Sequence, residues 1–408
     1  MGTGHDTRRA IRALIIIAAA QLLVLSLWFS ATAVAPELAA AWSLSPTETA
    51  WLTIAVQLGF VTGALLSAVL TIADVIPARY LFAGSAVVGA IATITIAGLV
   101  EAALPAIVLR FLTGVALAGV YPPGMKLMAG WFRQGRGFAI GVLVGALTVG
   151  SALPHLLRGI GGVGDPNSVL YGAAGLALIG GLLILTVDEG PYQAPIAPFD
   201  PRAIRRILDD RGTVLANLGY FGHMWELYAV WTWIPIYLAA SLAIDGSVGN
   251  VDSVASILAF TMIAIGGPGA VTAGYVADRI GRTMTTSASL LVSGAACIIA
   301  GTVFGASLYL VVPFILLWGF VIVADSAQFS ASVTELAERE YVGTALTLQT
   351  AIGFLLTTVS IQLIPLVAEI VGWRWAFVPL AIGPLIGIGA MLWLRSLPEA
   401  KRLAGGNR

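Results

Sequence analysis

Apolar runs separated by short polar breaks occupy most of the chain between residues 12 and 395. A helix needs about 20 apolar residues to cross a bilayer, and these runs have that length. The pattern predicts spans at 12–35, 48–72, 79–100, 103–130, 136–158 and 167–187, and again at 212–240, 252–277, 283–304, 307–333, 342–368 and 373–395. We therefore expect an all-α membrane protein with twelve transmembrane helices in two pseudo-symmetric six-helix bundles, since a helix satisfies its own backbone hydrogen bonds in lipid.

One long polar segment interrupts the apolar pattern at the centre of the chain. Residues 188–211 carry four prolines and nine charged side chains. Such a composition is typical of a connecting segment. The predicted domains are therefore an N-terminal bundle at 1–187, a cytoplasmic linker at 188–211 and a C-terminal bundle at 212–408.

The two halves also resemble each other. When Gly63 is aligned with Gly267, Ala-Asp at 73–74 falls on Ala-Asp at 277–278, and Gly114 similarly meets Gly319. Internal symmetry of this kind is typical of transporters built from two repeats, with the substrate site between the repeats near the middle of the membrane.

Composition agrees with a chain surrounded by a lipid bilayer. Hydrophobic residues make up 58% and charged residues 10%, whereas about a quarter of the residues of a soluble domain are charged. The formal net charge is zero, so nucleic acid is not an expected partner. The single cysteine, Cys297, excludes a disulfide within the chain and a cysteine-rich metal site.

Several kinds of chemistry have no sequence signature here. The chain lacks a glycine-rich phosphate loop followed by Lys-Ser or Lys-Thr, which argues against ATP-driven transport. Its three histidines are not near one another, and no nucleophile–base pair is visible. We expect no metal, no other cofactor and no enzymatic activity.

The distribution of Lys and Arg predicts the orientation, because cytoplasmic loops carry an excess of these residues. If the N-terminus is cytoplasmic, 18 basic residues lie on the cytoplasmic side and two, Arg158 and Arg374, on the other side. Arg110 lies within a span. We therefore expect a multi-pass protein of the cytoplasmic (inner) membrane with both termini in the cytoplasm.

The segment between the eighth and ninth spans reads Gly274-Tyr-Val-Ala-Asp278-Arg279-Ile-Gly-Arg282. It resembles the G-x-x-x-D-R-x-G-R cytoplasmic loop of the major facilitator superfamily. The resemblance implies a gating role for Asp278, Arg279 and Arg282. The corresponding loop between the second and third spans keeps Asp74, for which the resemblance implies the same role, but has a proline in place of a glycine.

A second resemblance concerns the fourth and fifth spans. Arg110-Phe-Leu-Thr-Gly114 resembles the fourth-helix motif of the superfamily. The segment from Pro123 and Lys126 to Gly141 resembles the branches that move organic acids, nitrate or sugar phosphates. It implies an anionic substrate. The fifth span has Pro154 but lacks the Gly-Pro pair that drug antiporters of the superfamily carry, which argues modestly against efflux.

Charged side chains inside a bilayer are costly, so each is a candidate functional residue. Glu226 lies near the middle of the seventh span, and His223 lies one turn earlier on the same face, close enough to pair at i,i+3. Tyr228 is one of several aromatic residues around them. We interpret this group as a proton site in a substrate cavity, because a carboxylate in a low-dielectric environment binds a proton more readily. The alternative is a structural pair that ties this span to its neighbour.

The other intramembrane polar residues leave two interpretations open. Asp325, with Gln328 beside it in the tenth span, binds a proton or holds a cytoplasmic gate. Arg110 binds an anion or stabilises the packing of helices, and His155 is a packing residue or titrates near neutral pH. Three further residues are predicted to line the cavity: Gln57, Tyr121 and Gln349.

The predicted function is secondary transport by alternating access, in the form of proton-coupled symport of a small anionic metabolite. The alternative is proton-driven efflux of an amphipathic compound, suggested by the aromatic seventh span. A non-transporting membrane sensor is a hypothesis of a different class. The expected partners are the substrate, protons and the lipid bilayer, and we expect a monomer.

Overall fold

The computed structural model describes the backbone of residues 4–70, 72–132, 136–192 and 203–407, and the side chains of these residues except 4–7, 73, 74, 136, 137 and 203. The described residues are almost entirely helical and include no strand. Eleven of their helices are long and apolar enough to cross a membrane. The remaining predicted span, 12–35, corresponds to a helix that is interrupted partway, as described below.

The chain divides into two compact units, Met1–Ile196 and Ala197–Arg408. The described residues of the first unit form ten α-helices, and a π-helical turn at Arg158–Gly162 follows the ninth. They are α1 (Gly4–Leu25), α2 (Ser30–Ala33), α3 (Ala35–Trp42), α4 (Pro46–Val69), α5 (Ile72–Val75), α6 (Ala78–Leu99), α7 (Ala103–Ala118), α8 (Tyr121–Trp131), α9 (Arg136–Leu157) and α10 (Pro166–Ile184).

The second unit has nine described α-helices, and short 3₁₀ segments lie at Arg339–Tyr341, Trp373–Trp375, Val378–Ala381 and Pro398–Gly406. The helices are α11 (Ala203–Asp209), α12 (Arg211–Asp245), α13 (Val251–Ala264), α14 (Gly266–Ile280), α15 (Arg282–Val303), α16 (Leu308–Ile322), α17 (Ser326–Leu336), α18 (Val342–Val371) and α19 (Ile382–Ser396). The longest, α12, is largely buried along its length.

Four predicted spans are interrupted in the structure. The first is broken between α1 and α2, the fourth between α7 and α8, the eighth between α13 and α14, and the tenth between α16 and α17. Two consecutive prolines near the start of α8 explain the break in the fourth span, since proline lacks the N–H of the helical ladder and clashes with the preceding turn. The apolar pattern alone indicates membrane crossing and does not reveal such breaks.

Glycines allow two pairs of helices to approach closely, one pair in each unit. A Cβ at Gly114 of α7 would collide with the Val56 carbonyl oxygen of α4. In the second unit, a Cβ at Gly319 of α16 would collide with the Met262 carbonyl oxygen of α13. Helices in lipid pack through such small residues, because close backbone approach maximises van der Waals contact.

Candidate functional site

Glu226 of α12 lies at the centre of a buried hydrogen-bonded group in the second unit, with 1% of its surface exposed. It accepts a hydrogen bond from Ser293 Oγ at 2.9 Å and one from Cys297 Sγ at 3.3 Å, both from α15. Trp318 Nε1 of α16 donates a third at 3.1 Å. These contacts connect the carboxylate to two neighbouring helices.

His223 lies one turn before Glu226, but its partner is on another helix. His223 Nδ1 is 2.9 Å from Asp325 Oδ1, at the break between α16 and α17. The sequence predicts an i,i+3 pair between His223 and Glu226. In the structure each side chain instead contacts the tenth span, His223 through Asp325 and Glu226 through Trp318. His223 and Asp325 are each at least 98% buried.

All three donors to Glu226 are electrically neutral, and within the described residues no cationic side chain forms an ion pair with it. An isolated carboxylate in a medium of low dielectric constant is costly, and proton binding relieves that cost. A hydroxyl donor also turns readily to accept from a protonated acid, because it has both a proton and lone pairs. This environment is suited to reversible protonation of Glu226.

Aromatic rings surround the acidic group. The His223 ring lies 5.8 Å from Phe329 and 6.2 Å from Tyr220, measured between ring centroids. Tyr228 is 5.1 Å from Phe354 of α18 and is buried. The His223 partner of Asp325 is therefore packed against aromatic rings.

The residues assigned to gating by resemblance form a second polar network in the second unit. Arg282 donates two hydrogen bonds to Glu335 of α17, from Nε at 2.7 Å and from Nη2 at 2.6 Å. Its Nη1 donates to Gln328 Oε1 at 2.7 Å. Gln328, expected near the substrate or proton, therefore lies in the Arg282 network and ties α15 to α17.

Asp278 and Arg279 have looser contacts than Arg282. The Asp278 carboxylate is 72% exposed and lies 3.8 Å from the Arg282 guanidinium. Arg279 stacks over the ring of Tyr275 and donates to its carbonyl oxygen at 3.2 Å. The side chain of Asp74 lies outside the described part of the structure.

Arg110 is completely buried in the first unit, and protein acceptors occupy its guanidinium. Nε donates to Leu52 O at 3.1 Å, and Nη1 donates to Leu27 O at 2.9 Å and to Ser30 Oγ at 3.0 Å. Nη2 donates to Trp28 O. Four of the five N–H groups of a guanidinium are thereby used, three of them on carbonyl oxygens of the first and second predicted spans.

Three further predicted residues lie in the first unit. Gln57 of α4 and His155 of α9 are completely buried, and their side-chain nitrogen and oxygen atoms have no hydrogen-bond partner among the described residues. Tyr121, the first residue of α8, is half-buried beside the break in the fourth span. None of these three is part of the Glu226 group, which belongs to the other unit.

Four important partners were not singled out by the sequence: Ser293, Cys297, Trp318 and Glu335. The spacing of Ser293 and Cys297 is i,i+4, which places both on one helix face, but isolated small polar residues are ordinary in membrane helices. Their role becomes visible only when α15 is packed against α12.

The sequence profile of the Major Facilitator Superfamily matches residues 17–264 and, in a second match, residues 216–408. The chain therefore belongs to the Major Facilitator Superfamily. This family and the fold define a multi-pass membrane transporter, rather than an enzyme, that acts on small-molecule substrates by alternating access.

Solved structures of transporters share the fold across nearly the whole chain. A crystal structure of the nucleoside transporter NupG superposes with a TM-score of 0.72 at 15% identity, covering 94% of this chain and 99% of that one. A bacterial homologue of the human lysosomal transporter Spinster, in an inward-facing and occupied conformation, gives a TM-score of 0.72 at 15% identity and covers 98% and 99% of the two chains. No curated protein sequence matches the chain.

Proposed function

We propose that the chain is a proton-coupled secondary transporter in which Glu226 carries the coupling proton. The observation that supports this is the buried position of the carboxylate among three neutral donors, with the His223–Asp325 pair one helical turn away. Ionisable groups inside a membrane span mark ion pathways more often than they serve packing.

Protonation of Glu226 changes the contacts between α12 and its neighbours. As a carboxylate, Glu226 accepts from α15 and α16 together. Once protonated, one of its oxygens becomes a donor, and the indole of Trp318 can only donate. A proton on Oε2 can be donated to Ser293 Oγ, and Oε1 then becomes a neutral and weaker acceptor for Trp318. We therefore propose that proton binding loosens α12 from α16.

The sequence predicts an anionic substrate, and Arg110 is its candidate ligand or a residue that stabilises helix packing. In the first unit, protein acceptors hold four of the N–H groups of Arg110. An anion would have to displace these bonds. Arg110 therefore no longer supports an anionic substrate, and that hypothesis depends on the resemblance around Pro123 and Lys126 alone. The function that we propose is proton-coupled transport of a small solute.

Proton-driven efflux of an amphipathic compound is the second candidate. The rings of Tyr220 and Phe329 next to His223 support it because they offer an apolar surface. Uptake by symport and efflux by antiport differ in the pH gradient that drives accumulation. Vesicles with an acidic exterior accumulate the solute by symport, and vesicles with an acidic interior accumulate it by antiport.

The test of the proton site uses purified protein in proteoliposomes. A thermal-shift screen of organic acids, inorganic anions, lipophilic cations and uncharged solutes supplies the solute, since a ligand of the folded state raises the melting temperature. We expect Glu226→Gln to abolish accumulation driven by a pH gradient while solute exchange at equal pH continues. Asp325→Asn provides the comparison for a gating role, and Glu369→Gln removes an exposed carboxylate of the same unit as a control. Normal accumulation by Glu226→Gln would place the proton site elsewhere.

A further inference from the structure

The first unit contains two glutamines whose amide groups are buried without a partner. Gln21 of α1 and Gln57 of α4 have no solvent exposure, and both polar atoms of each side chain lack a hydrogen bond within the described residues. By contrast, Gln349 of the second unit donates to Asn217 Oδ1 at 2.9 Å and accepts from Ser330 Oγ at 3.2 Å. Buried polar groups are nearly always hydrogen-bonded, so an unpaired group calls for a missing partner.

The bonds of Arg110 place the two glutamines at a similar depth. Arg110 bonds to Leu27 O and to Leu52 O, so these two residues lie near one level. Gln21 precedes Leu27 by six residues and Gln57 follows Leu52 by five, and consecutive spans run in opposite directions. At a rise of 1.5 Å per residue, both glutamines lie on the same side of the level of Leu27 and Leu52, Gln21 at roughly 9 Å and Gln57 at roughly 7.5 Å along the helix axes.

A glycine keeps room for one of these amides. A Cβ at Gly124 of α8 would collide with Gln21 Oε1, so only glycine leaves the side chain in this position. His155, whose ring nitrogens also lack partners in the described residues, lies at a different level. Its ring is 6.4 Å from that of Phe29, which is in the break between α1 and α2.

We propose that Gln21 and Gln57 contact the transported solute and that they bind an uncharged group with hydrogen-bond donors and acceptors. A carboxamide offers a donor and an acceptor side by side, which matches an amide, an imide or the edge of a polar heterocycle. The proposal rests on the proposed transport function. It adds the chemical class of the solute.

Charges in the first unit agree with an uncharged solute. Its two fully buried arginines are both occupied by protein groups: Arg110 by the carbonyl oxygens described above, and Arg158 by Glu37, with Nε 2.8 Å from Oε1. Neither of these buried arginines is left to neutralise an ion. The groups without a hydrogen bond among the described residues of this unit include the amides of Gln21 and Gln57 and the imidazole of His155.

The first experiment measures melting temperatures of the purified, ligand-free protein. Leucine in place of an unpaired glutamine removes a buried polar group and preserves the volume, which is neutral or stabilising. We expect Gln21→Leu and Gln57→Leu to melt at or above the temperature of the unmodified protein. Gln349→Leu serves as the matched control, because it leaves Asn217 and Ser330 unpaired, and we expect it to melt lower by on the order of 2 °C or more. If Gln21→Leu and Gln57→Leu fall as far as Gln349→Leu, these amides are structural and the proposal is wrong.

The second experiment measures the shift in melting temperature on adding uridine, succinate or tetraphenylphosphonium. Uridine is uncharged and carries adjacent N–H and C=O groups, whereas the other two probes are an anion and a lipophilic cation. We expect stabilisation by uridine that Gln57→Leu abolishes. Stabilisation by succinate or tetraphenylphosphonium that persists in Gln57→Leu would overturn the proposal. Glu226→Gln is expected to keep the uridine shift, so failure of the proton hypothesis is distinguished from failure of this one.

Discussion

Arg110 illustrates how a residue found from sequence acquires a different interpretation in the structure. Its position in an apolar span, with no acidic residue a turn away on the same helix, required a partner from elsewhere. The structure supplies carbonyl oxygens of Leu27, Trp28 and Leu52. A guanidinium has several donors in a fixed fork, so it can bond to carbonyl oxygens of the first and second spans together.

Replacement of Arg110 by lysine tests the structural interpretation. A lysine ammonium is a compact charge that cannot reach carbonyls on two helices as the guanidinium does. We expect Arg110→Lys to lower the free energy of unfolding by about 3 kcal/mol, since several charge-assisted hydrogen bonds are lost. The affinity of the remaining folded protein for its solute stays unchanged. Arg158→Lys is the control, because a lysine there still pairs with Glu37. Weakened solute binding in a stable Arg110→Lys protein would restore the anion hypothesis.

Residues could be found from the sequence when their chemistry was unusual for their surroundings. Glu226 and His223 stand out because ionisable side chains are rare in apolar spans. Their partners could not be found, since Ser293, Cys297 and Trp318 are distant in sequence and contact Glu226 only through helix packing. Gln21 was missed although Gln57 was predicted to line the cavity, because the lack of a hydrogen-bond partner that the two amides share is visible only in the structure.

At the scale of the helices, length and hydropathy were sufficient to predict the crossings but not their interruptions. Eleven described helices can cross a membrane, in the places where the apolar runs predicted them. The breaks depend on local backbone chemistry. The break before α8 has a proline signal, whereas the break between α16 and α17 at Asp325 has none. This second break carries the partner of His223, so the least predictable backbone feature lies beside the candidate proton site.

The close contact between α13 and α16 predicts a strong response to a small substitution. A Cβ at Gly319 would overlap the Met262 carbonyl oxygen, so the helices must separate. We expect Gly319→Ala to lower the free energy of unfolding by about 1–3 kcal/mol, as measured by reversible denaturation in detergent. Gly389→Ala on α19 is the matched control, because the space around that glycine is open. Alanine is the better helix former, so the control is expected to be neutral or slightly stabilising. Equal stability of both variants would contradict the close packing.

At the scale of the whole molecule, the two units have similar helix packing and different chemistry. Each contains a glycine-dependent crossing, at Gly114 in one and at Gly319 in the other. The first unit holds buried amides that have no hydrogen-bond partner in the described part of the chain, and the second holds the buried acidic group around Glu226. Repeats that share a backbone arrangement can therefore diverge in their polar residues, with solute contacts proposed in one unit and the proton site in the other.

The orientation in the membrane is predicted from the basic residues and is tested by labelling of introduced cysteines. The native Cys297 is buried beside Glu226, so it contributes little background with a membrane-impermeant maleimide. Arg205 and Ser247 are exposed. We expect Ser247→Cys to be labelled in intact spheroplasts, and Arg205→Cys to be labelled only after the membrane is permeabilised, because the excess of Lys and Arg marks the cytoplasmic side. Labelling of Arg205→Cys in intact spheroplasts would reverse the topology and would move both termini out of the cytoplasm.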